Sequence, residues 1–188
     1  ATTPPSGSQP WLAQIFAALT LLAGAISIDA VLIGGGWWLR PVLAVAVVSC
    51  CGLALRRFLP GWAVALAQLV ALVFVVAWMF EITALAQLTA QLDIAQRHIQ
   101  TSGAPAGVIP AIELVLTAAL GLLAVVVDAL AVRAPALVAL PTLALLVTGS
   151  TFALGRLPWM ALVAPAVAYL LLLAVSRRPG TPARPWAV

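Results

Sequence analysis

The chain has 188 residues, of which 64% are hydrophobic and only 7% are charged, and its formal net charge is +4. This composition excludes a soluble domain, because packing it in water would leave too little polar side-chain surface to cover the molecule. The positive charge is carried by arginine without lysine, at the boundaries of apolar runs, which favours a role in membrane topology and excludes a nucleic-acid partner.

Six apolar runs follow one another, each close to the roughly 20 residues that a helix needs to cross a hydrocarbon core of about 30 Å. They cover residues 11–33, 37–55, 61–80, 109–132, 136–154 and 157–175. The sequence therefore predicts an all-α, polytopic membrane protein with about six transmembrane helices between residues 11 and 176. Residues 1–10 are predicted to form a disordered cytoplasmic tail, and residues 177–188 a basic, proline-rich cytoplasmic tail.

The placement of the arginines predicts the orientation of the bundle. Six of the nine arginines follow the second, fourth and sixth apolar runs, whereas Arg40, Arg97 and Arg156 lie on the other side. Basic residues concentrate on the cytoplasmic side of membrane proteins. The sequence therefore predicts a multi-pass protein of the plasma (inner) membrane, in contact with the lipid bilayer, with its amino and carboxyl termini in the cytoplasm.

A long connection separates the third and fourth runs. Within it, residues 81–100 place apolar side chains at spacings of three and four opposite a glutamine-rich face, which predicts an extracytoplasmic amphipathic helix. Its apolar positions include Ile82, Leu85, Leu88, Leu92 and Ile99. This face covers the bundle, lies on the outer leaflet, extends the third span as a stalk, or docks another membrane or envelope protein. The sequence leaves these alternatives open.

Charged residues near the ends of the runs are candidate structural or ligand-binding polar sites. They are Asp29, Arg40, Glu113, Asp128 and Arg133. An intramembrane carboxylate is costly and usually marks either a function or a structural pair. Asp128 lies about one turn from the cytoplasmic end of its run, so we expect it to pair with Arg133 or with the Arg56–Arg57 hairpin.

Asp29 and Glu113 are both expected near the extracytoplasmic ends of their runs. On that side Arg40 and Arg156 are the candidate partners for the two carboxylates. The alternative is a polar pocket for a ligand of the outer leaflet. An ion or proton pathway would need carboxylates at several depths, which this spacing does not supply.

No complete active site is predicted. His98 is the one histidine and lies in the amphipathic segment, whereas Cys50 and Cys51 lie near the cytoplasmic end of the second run. A cysteine nucleophile and its histidine base must be within hydrogen-bond reach, and these residues are predicted on opposite sides of the membrane. No metal ligand set and no cofactor are predicted.

Two stretches carry a family resemblance. One is VVVDALAVRAPALVALPTLALLV at residues 125–147, and the other begins with WLRPVLAVAVVSCCGLALRRF at residue 38 and continues to Phe80. Both resemble the amino-terminal membrane region of bacterial, especially actinobacterial, transglutaminase-like proteins of the TgpA family. In that family, further spans and an extracytoplasmic domain with a Cys–His–Asp triad come later in the polypeptide. The resemblance therefore implies no catalytic residue in this sequence.

These observations predict a non-catalytic membrane domain that anchors or scaffolds a cell-envelope protein or complex. The alternative is a small membrane transporter or channel subunit. It draws on Pro141 and Pro165, which fall inside the fifth and sixth runs and are expected to kink those helices. The acidic residues near the extracytoplasmic ends are its second support.

Overall fold

A computed structural model describes residues 10–34, 36–102, 106–152 and 158–176. The elements in chain order are α1 (Pro10–Asp29), β1 (Leu32–Ile33), α2 (Leu39–Leu55), α3 (Gly61–Met79), α4 (Leu85–Thr101), β2 (Ala106–Gly107), α5 (Pro110–Arg133), a short 3₁₀ helix (Pro135–Val138), α6 (Ala139–Phe152) and α7 (Met160–Ser176). The predicted all-α class is confirmed, with two strands of two residues each as the exception. Residues 1–9 and 177–188, which make up nearly all of the two predicted tails, lie outside the described residues.

Three helices of the described part are long and apolar enough to cross a membrane. They are Trp11–Asp29 within α1, α3 and α5, with 19, 19 and 24 residues. The other apolar segments, Leu39–Leu55, Pro135–Thr151 and Met160–Ser176, are shorter. A helix of 17 residues is about 26 Å long, slightly less than a hydrocarbon core of about 30 Å. The chain therefore has the helices of a membrane protein, and the count of six spans remains a prediction.

The centre of the bundle is formed by α1 and α5. Helix α1 packs against α5, α6, α7 and α2, and α5 packs in addition against α2, α3 and α4. Every fourth residue of α1 from Ala13 to Ala25 is buried, including Ala17 and Leu21. Residues four apart lie on the same face of a helix. The small alanine side chains on this stripe allow neighbouring helices to approach α1 closely.

Prolines determine where several helices begin. Helix α3 follows Pro60, which is extended, and α5 begins at Pro110. A proline at the first position leaves no helical hydrogen bond unmade. Pro141 lies in the first turn of α6, directly after the 3₁₀ helix, and the expected kink there stays a prediction. Pro165 does lie inside α7.

A short parallel ladder ties together two connections at one end of the bundle. Helix α1 ends at Asp29, before the end of the first apolar run, and Leu32 and Ile33 pair with Ala106 and Gly107. The backbone N–H of Val108 extends the ladder by donating to the carbonyl of Ile33, at 3.1 Å. The ladder fixes the loop after α1 to the segment that leads into α5.

Helix α4 is separate from α3. Helix α3 ends at Met79, and Glu81 then adopts φ = 53°, a left-handed conformation that interrupts the helical path. The amphipathic helix begins at Leu85, four residues later than the sequence predicts. It packs on α5 through Ala95, which is buried against Ala111 and Ile112. The alternative of a stalk continuing the third span is therefore wrong.

Candidate functional site

One ion pair lies at the end of the bundle where α5 begins, which we call the Glu113 end. Arg40 Nη1 and Glu113 Oε2 are 2.8 Å apart, and the two side chains are 39% and 14% exposed. Glu113 lies in the first turn of α5, where the unpaired backbone N–H groups favour a negative charge. Arg40 Cζ also lies 4.6 Å from the centre of the Phe80 ring, in a cation–π contact. Arg40 thus joins the start of α2 to α5 and to the end of α3.

Asp29, at the same end, is held by two indoles. Trp37 Nε1 and Trp38 Nε1 donate to its Oδ1, at 3.1 Å and 3.3 Å. The two rings stack with their centres 4.1 Å apart, and Trp37 is fully buried. Arg40 pairs with Glu113 instead of Asp29, and the other candidate partner, Arg156, lies outside the described residues. The carboxylate therefore fixes the turn between α1 and α2.

A second ion pair lies at the opposite end, which we call the Asp128 end. Arg56 Nη2 donates to Asp128 Oδ2 at 2.7 Å and to the backbone carbonyl of Asp128 at 2.9 Å. Gln68 Nε2 donates to the same Oδ2 at 2.7 Å and to the carbonyl of Val48 at 3.1 Å. Asp128 is only 4% exposed. A buried carboxylate requires such donors, because it has lost its hydration.

The close packing of this cluster depends on Gly52 of α2. A Cβ atom at Gly52 would lie 2.6 Å from Asp128 Oδ2 and would also collide with the amide of Gln68. Sequence reasoning missed Gln68 because a single neutral side chain in an apolar run gives no charge signal. The signal that could have indicated Gln68 is its spacing of four residues from Val64 and from Leu72, which places it on the same helix face. The structure buries that face.

Arg133 ends α5 at the Asp128 end but is not the partner of Asp128. The structure places its guanidinium beside Gly61 at the start of α3, where an added Cβ would lie 3.3 Å from Nη2. Within the described ranges, neither Arg133 nor Arg57 forms an ion pair. Arg133, Arg56 and Arg57 all line one pocket between α1, α2, α3 and α5.

The predicted apolar face of the amphipathic helix is only partly covered. Ile82 and Leu88 pack against the main core, whereas Leu85, Leu92 and Ile99 are 81%, 44% and 59% exposed. Leu85, Leu88 and Leu92 line one wall of an apolar groove of about 410 Å³, whose other walls are α3 and α5. The bundle therefore leaves a continuous apolar surface along one side of α4.

The residues with reactive side chains are far apart. The ring of His98 is 3.2 Å from the carbonyl of Gly107 at the Glu113 end, and Cys50 and Cys51 lie near the end of α2 that carries Arg56. Among the described residues, no group of three or more His, Cys, Asp or Glu side chains could hold a metal ion. The described part of the chain therefore brings together polar pairs and surfaces, and no nucleophile with a base.

Comparison with known families identified one match. A family model described as the TgpA N-terminal domain matches residues 19–188. The match includes both stretches that carry the resemblance in the sequence, so the family resemblance is confirmed. Searches of curated proteins and of solved structures each gave no significant match.

Proposed function

Because the chain belongs to the TgpA N-terminal domain family, we propose that it is the non-catalytic membrane domain of a transglutaminase-like cell-envelope protein. It anchors or scaffolds the parts of that protein or complex that act outside the cell. Six helices cross the plasma membrane: α1, α2, α3, α5, α6 with its preceding 3₁₀ helix, and α7. Both termini and the Asp128 end face the cytoplasm, and the Glu113 end and α4 face outward.

The observation that carries the scaffold proposal is that both ion pairs join the same two helices. Arg40 and Arg56, near the two ends of α2, bind Glu113 and Asp128, near the two ends of α5. The helices run in the same direction, so the pairs are in register. Rocking or sliding of α2 along α5 would break at least one pair. A rigid α2–α5 unit suits an anchor, which must hold a fixed geometry.

The spacing of the pairs also suits a membrane. Sixteen residues separate the two arginines on α2 and fifteen separate the two carboxylates on α5. At 1.5 Å per residue these separations are about 24 Å and 22 Å. In a bundle centred in a hydrocarbon core of about 30 Å, both pairs lie within a few ångströms of the headgroups. The cost of embedding charge is lowest there.

A small transporter or channel subunit is the alternative function. Alternating access requires one group of helices to move against another around a central site. Pro165 inside α7 is the observation that favours a hinge. The carboxylates Glu113 and Asp128 lie at opposite ends and are paired, so they supply no stepwise ion pathway through the described helices. The scaffold is therefore the function that the geometry favours.

We assign the docking role to the uncovered side of α4. Leu85, Leu92 and Ile99 form a stripe beside the apolar groove, on a helix that begins a separate path after Glu81. In the proposed orientation this stripe faces the side on which the family carries its transglutaminase-like domain. The occupant that we propose is an envelope protein or domain with a complementary apolar face.

The test is site-specific photo-crosslinking in growing cells. A photoreactive phenylalanine analogue at Leu92 or Ile99 should give a discrete protein adduct, because both positions lie on the uncovered stripe. The change Leu85→Ser on the same stripe should reduce the adduct several-fold. Ile94 is the matched control: it is an exposed isoleucine on the same helix, two residues after Leu92 and therefore on the other face of α4.

Mass spectrometry of the adducts separates the outcomes. A protein adduct from Leu92 and Ile99 but not from Ile94 supports docking. Lipid adducts alone from all three positions would mean that α4 lies on the outer leaflet, and the docking role would be abandoned. Equal protein adducts from Ile94 would mean that the contact is not specific to the stripe.

A further inference from the structure

A pocket of about 740 Å³ lies at the Asp128 end, between α1, the turn after α2, the start of α3 and the end of α5. Its polar and aromatic lining consists of Trp11, Gln14, Arg56, Arg57 and Arg133. The remaining lining is apolar, with Leu53, Leu59 and Val132 among it. Three arginines and a tryptophan thus line one cavity with an apolar wall.

The pocket carries excess positive charge. Of the three arginines, Arg56 is paired with Asp128, whereas Arg57 and Arg133 form no ion pair within the described ranges. Guanidinium groups gathered in this way repel one another unless an anion lies between them. Gly61 contributes to the arrangement, because its lack of a side chain allows the Arg133 guanidinium to lie against the start of α3.

Two buried N–H donors are also without acceptors. Gln14 is only 4% exposed, and its Nε2 finds no hydrogen-bond partner among the described residues. Arg56 Nε is also buried and has no hydrogen-bond partner among the described residues, although Arg56 Nη2 donates to Asp128. A buried donor without an acceptor destabilises the fold, because it has lost its hydrogen bond to water. Both residues line the pocket, so a rotation of either side chain toward the cavity would let an entering acceptor relieve its cost.

We propose that this pocket binds the phosphate-bearing headgroup of an anionic phospholipid from the leaflet at the Asp128 end. Phosphate oxygens supply the acceptors that Gln14 and Arg56 lack and the charge that Arg57 and Arg133 require. Basic pockets at the headgroup level between transmembrane helices are sites of this kind. The apolar wall and the half-exposed indole of Trp11 suit the glycerol and the first acyl carbons.

Free phosphate has the same headgroup chemistry, so the experiment must separate the two sources. The purified full chain in a neutral detergent is titrated with phosphatidylglycerol, phosphatidylcholine, inorganic phosphate or glycerol 3-phosphate. Tryptophan fluorescence reports the melting temperature, and native mass spectrometry reports retained lipid. Phosphatidylglycerol should raise the melting temperature and remain bound, whereas the other three compounds should have little effect.

Two variants test the assigned residues. The double change Arg57→Gln with Arg133→Gln should weaken phosphatidylglycerol binding about thirtyfold, because each arginine near the headgroups contributes a factor of roughly five. Gln14→Met should weaken binding about tenfold through loss of a hydrogen bond to a charged acceptor. It should leave the melting temperature without lipid unchanged or higher, because the unpartnered donor is removed.

Arg97→Gln is the matched control, because Arg97 is an exposed arginine on α4 and does not line the pocket. It should bind phosphatidylglycerol like the unaltered chain. Equal stabilisation by phosphatidylcholine would overturn the proposal, as would wild-type affinity in the Arg57 and Arg133 double variant. Equal stabilisation by inorganic phosphate would overturn the assignment to a lipid. The inference rests on the proposed membrane placement, which puts the pocket at the level of the headgroups. It does not rest on the docking role of α4, so a negative result here would leave that role untouched.

Discussion

Two side chains converge on one carboxylate oxygen of Asp128, which is the most deeply buried acidic group in the described part of the chain. Arg56 and Gln68 both donate to Oδ2, and Arg56 also donates to the Asp128 carbonyl. Deleting one member of a buried pair leaves the other charge without compensation. The corresponding pair of Arg40 and Glu113 is more open, since the arginine side chain is 39% exposed. The two pairs should therefore differ in their contributions to stability.

We predict that Asp128→Ala lowers the stability of the purified chain by about 3–5 kcal/mol, because Arg56, whose side chain is only 22% exposed, then loses its counter-charge. Replacing the pair by apolar residues, Arg56→Met with Asp128→Leu, should recover most of that loss. Glu113→Gln should cost about 1 kcal/mol or less, because solvent reaches the Arg40 side chain and screens this pair. Thermal unfolding in detergent measures all three. Equal losses for Asp128→Ala and Glu113→Gln would contradict the assigned difference in burial.

For single residues, the sequence predicts that a buried carboxylate forms an ion pair, but it does not determine which arginine is the partner. Embedded charge is so costly that the sequence predicts an arginine partner for both Asp128 and Glu113. Which arginine they meet depends on the rotation and depth of neighbouring helices, which a single sequence does not contain. Arg133 is five residues from Asp128 in sequence, yet Arg56 reaches it from α2. The indole partners of Asp29 were missed for the same reason.

Among the helices, α4 differs most from the packing that its amphipathic pattern predicts. Its apolar stripe and its buried face do not coincide: Ala95 is buried against α5, whereas Leu85, Leu92 and Ile99 remain exposed. Periodicity predicts the stripe, because spacings of three and four are local. The part of the stripe that packs on the bundle depends on the turn at Glu81 and on the β1–β2 ladder, and neither has a strong local signal.

Helices α1 and α6 meet through small residues, and the closest approach is at Gly149. An added Cβ there would lie 2.7 Å from the carbonyl oxygen of Ser27, and Ser27 Oγ donates to the carbonyl of Leu145 at 2.9 Å. Small residues at helix interfaces permit such approaches in membranes. We predict that Gly149→Ala destabilises the chain by roughly 1–3 kcal/mol through overpacking.

Gly107→Ala is the control for this prediction, because a Cβ at Gly107 would meet no atom within 4 Å. It should change the melting temperature in detergent little. Both variants remove one glycine and add one methyl group, but only Gly149→Ala places that methyl group against a neighbouring helix, and the helix propensity of alanine acts against the predicted loss. Equal melting temperatures for the two variants would show that α1 and α6 do not approach closely at Ser27.

For the whole molecule, the two ends differ in composition. The Asp128 end carries Arg56, Arg57 and Arg133, whereas α4 and the small ladder cover part of the Glu113 end. The arginine count predicts the cytoplasmic side because it depends only on the order of the runs. The length of each helix depends on caps and turns, so α2 and α7, with 17 residues each, are shorter than the apolar runs at residues 37–55 and 157–175. Three helices meet the length for a span, and the others require direct measurement.

That measurement is thiol labelling in a chain with Cys50→Ala and Cys51→Ala. Phe58→Cys lies in the exposed turn after α2, at the Asp128 end, and Gln96→Cys lies on the exposed side of α4. In intact cells an impermeant reagent should label Gln96→Cys and should reach Phe58→Cys only after permeabilisation. The opposite result would reverse the orientation. Labelling of both in intact cells would mean that α3, the one long apolar helix between the two positions, does not cross the membrane, and the six-span topology would fail with it.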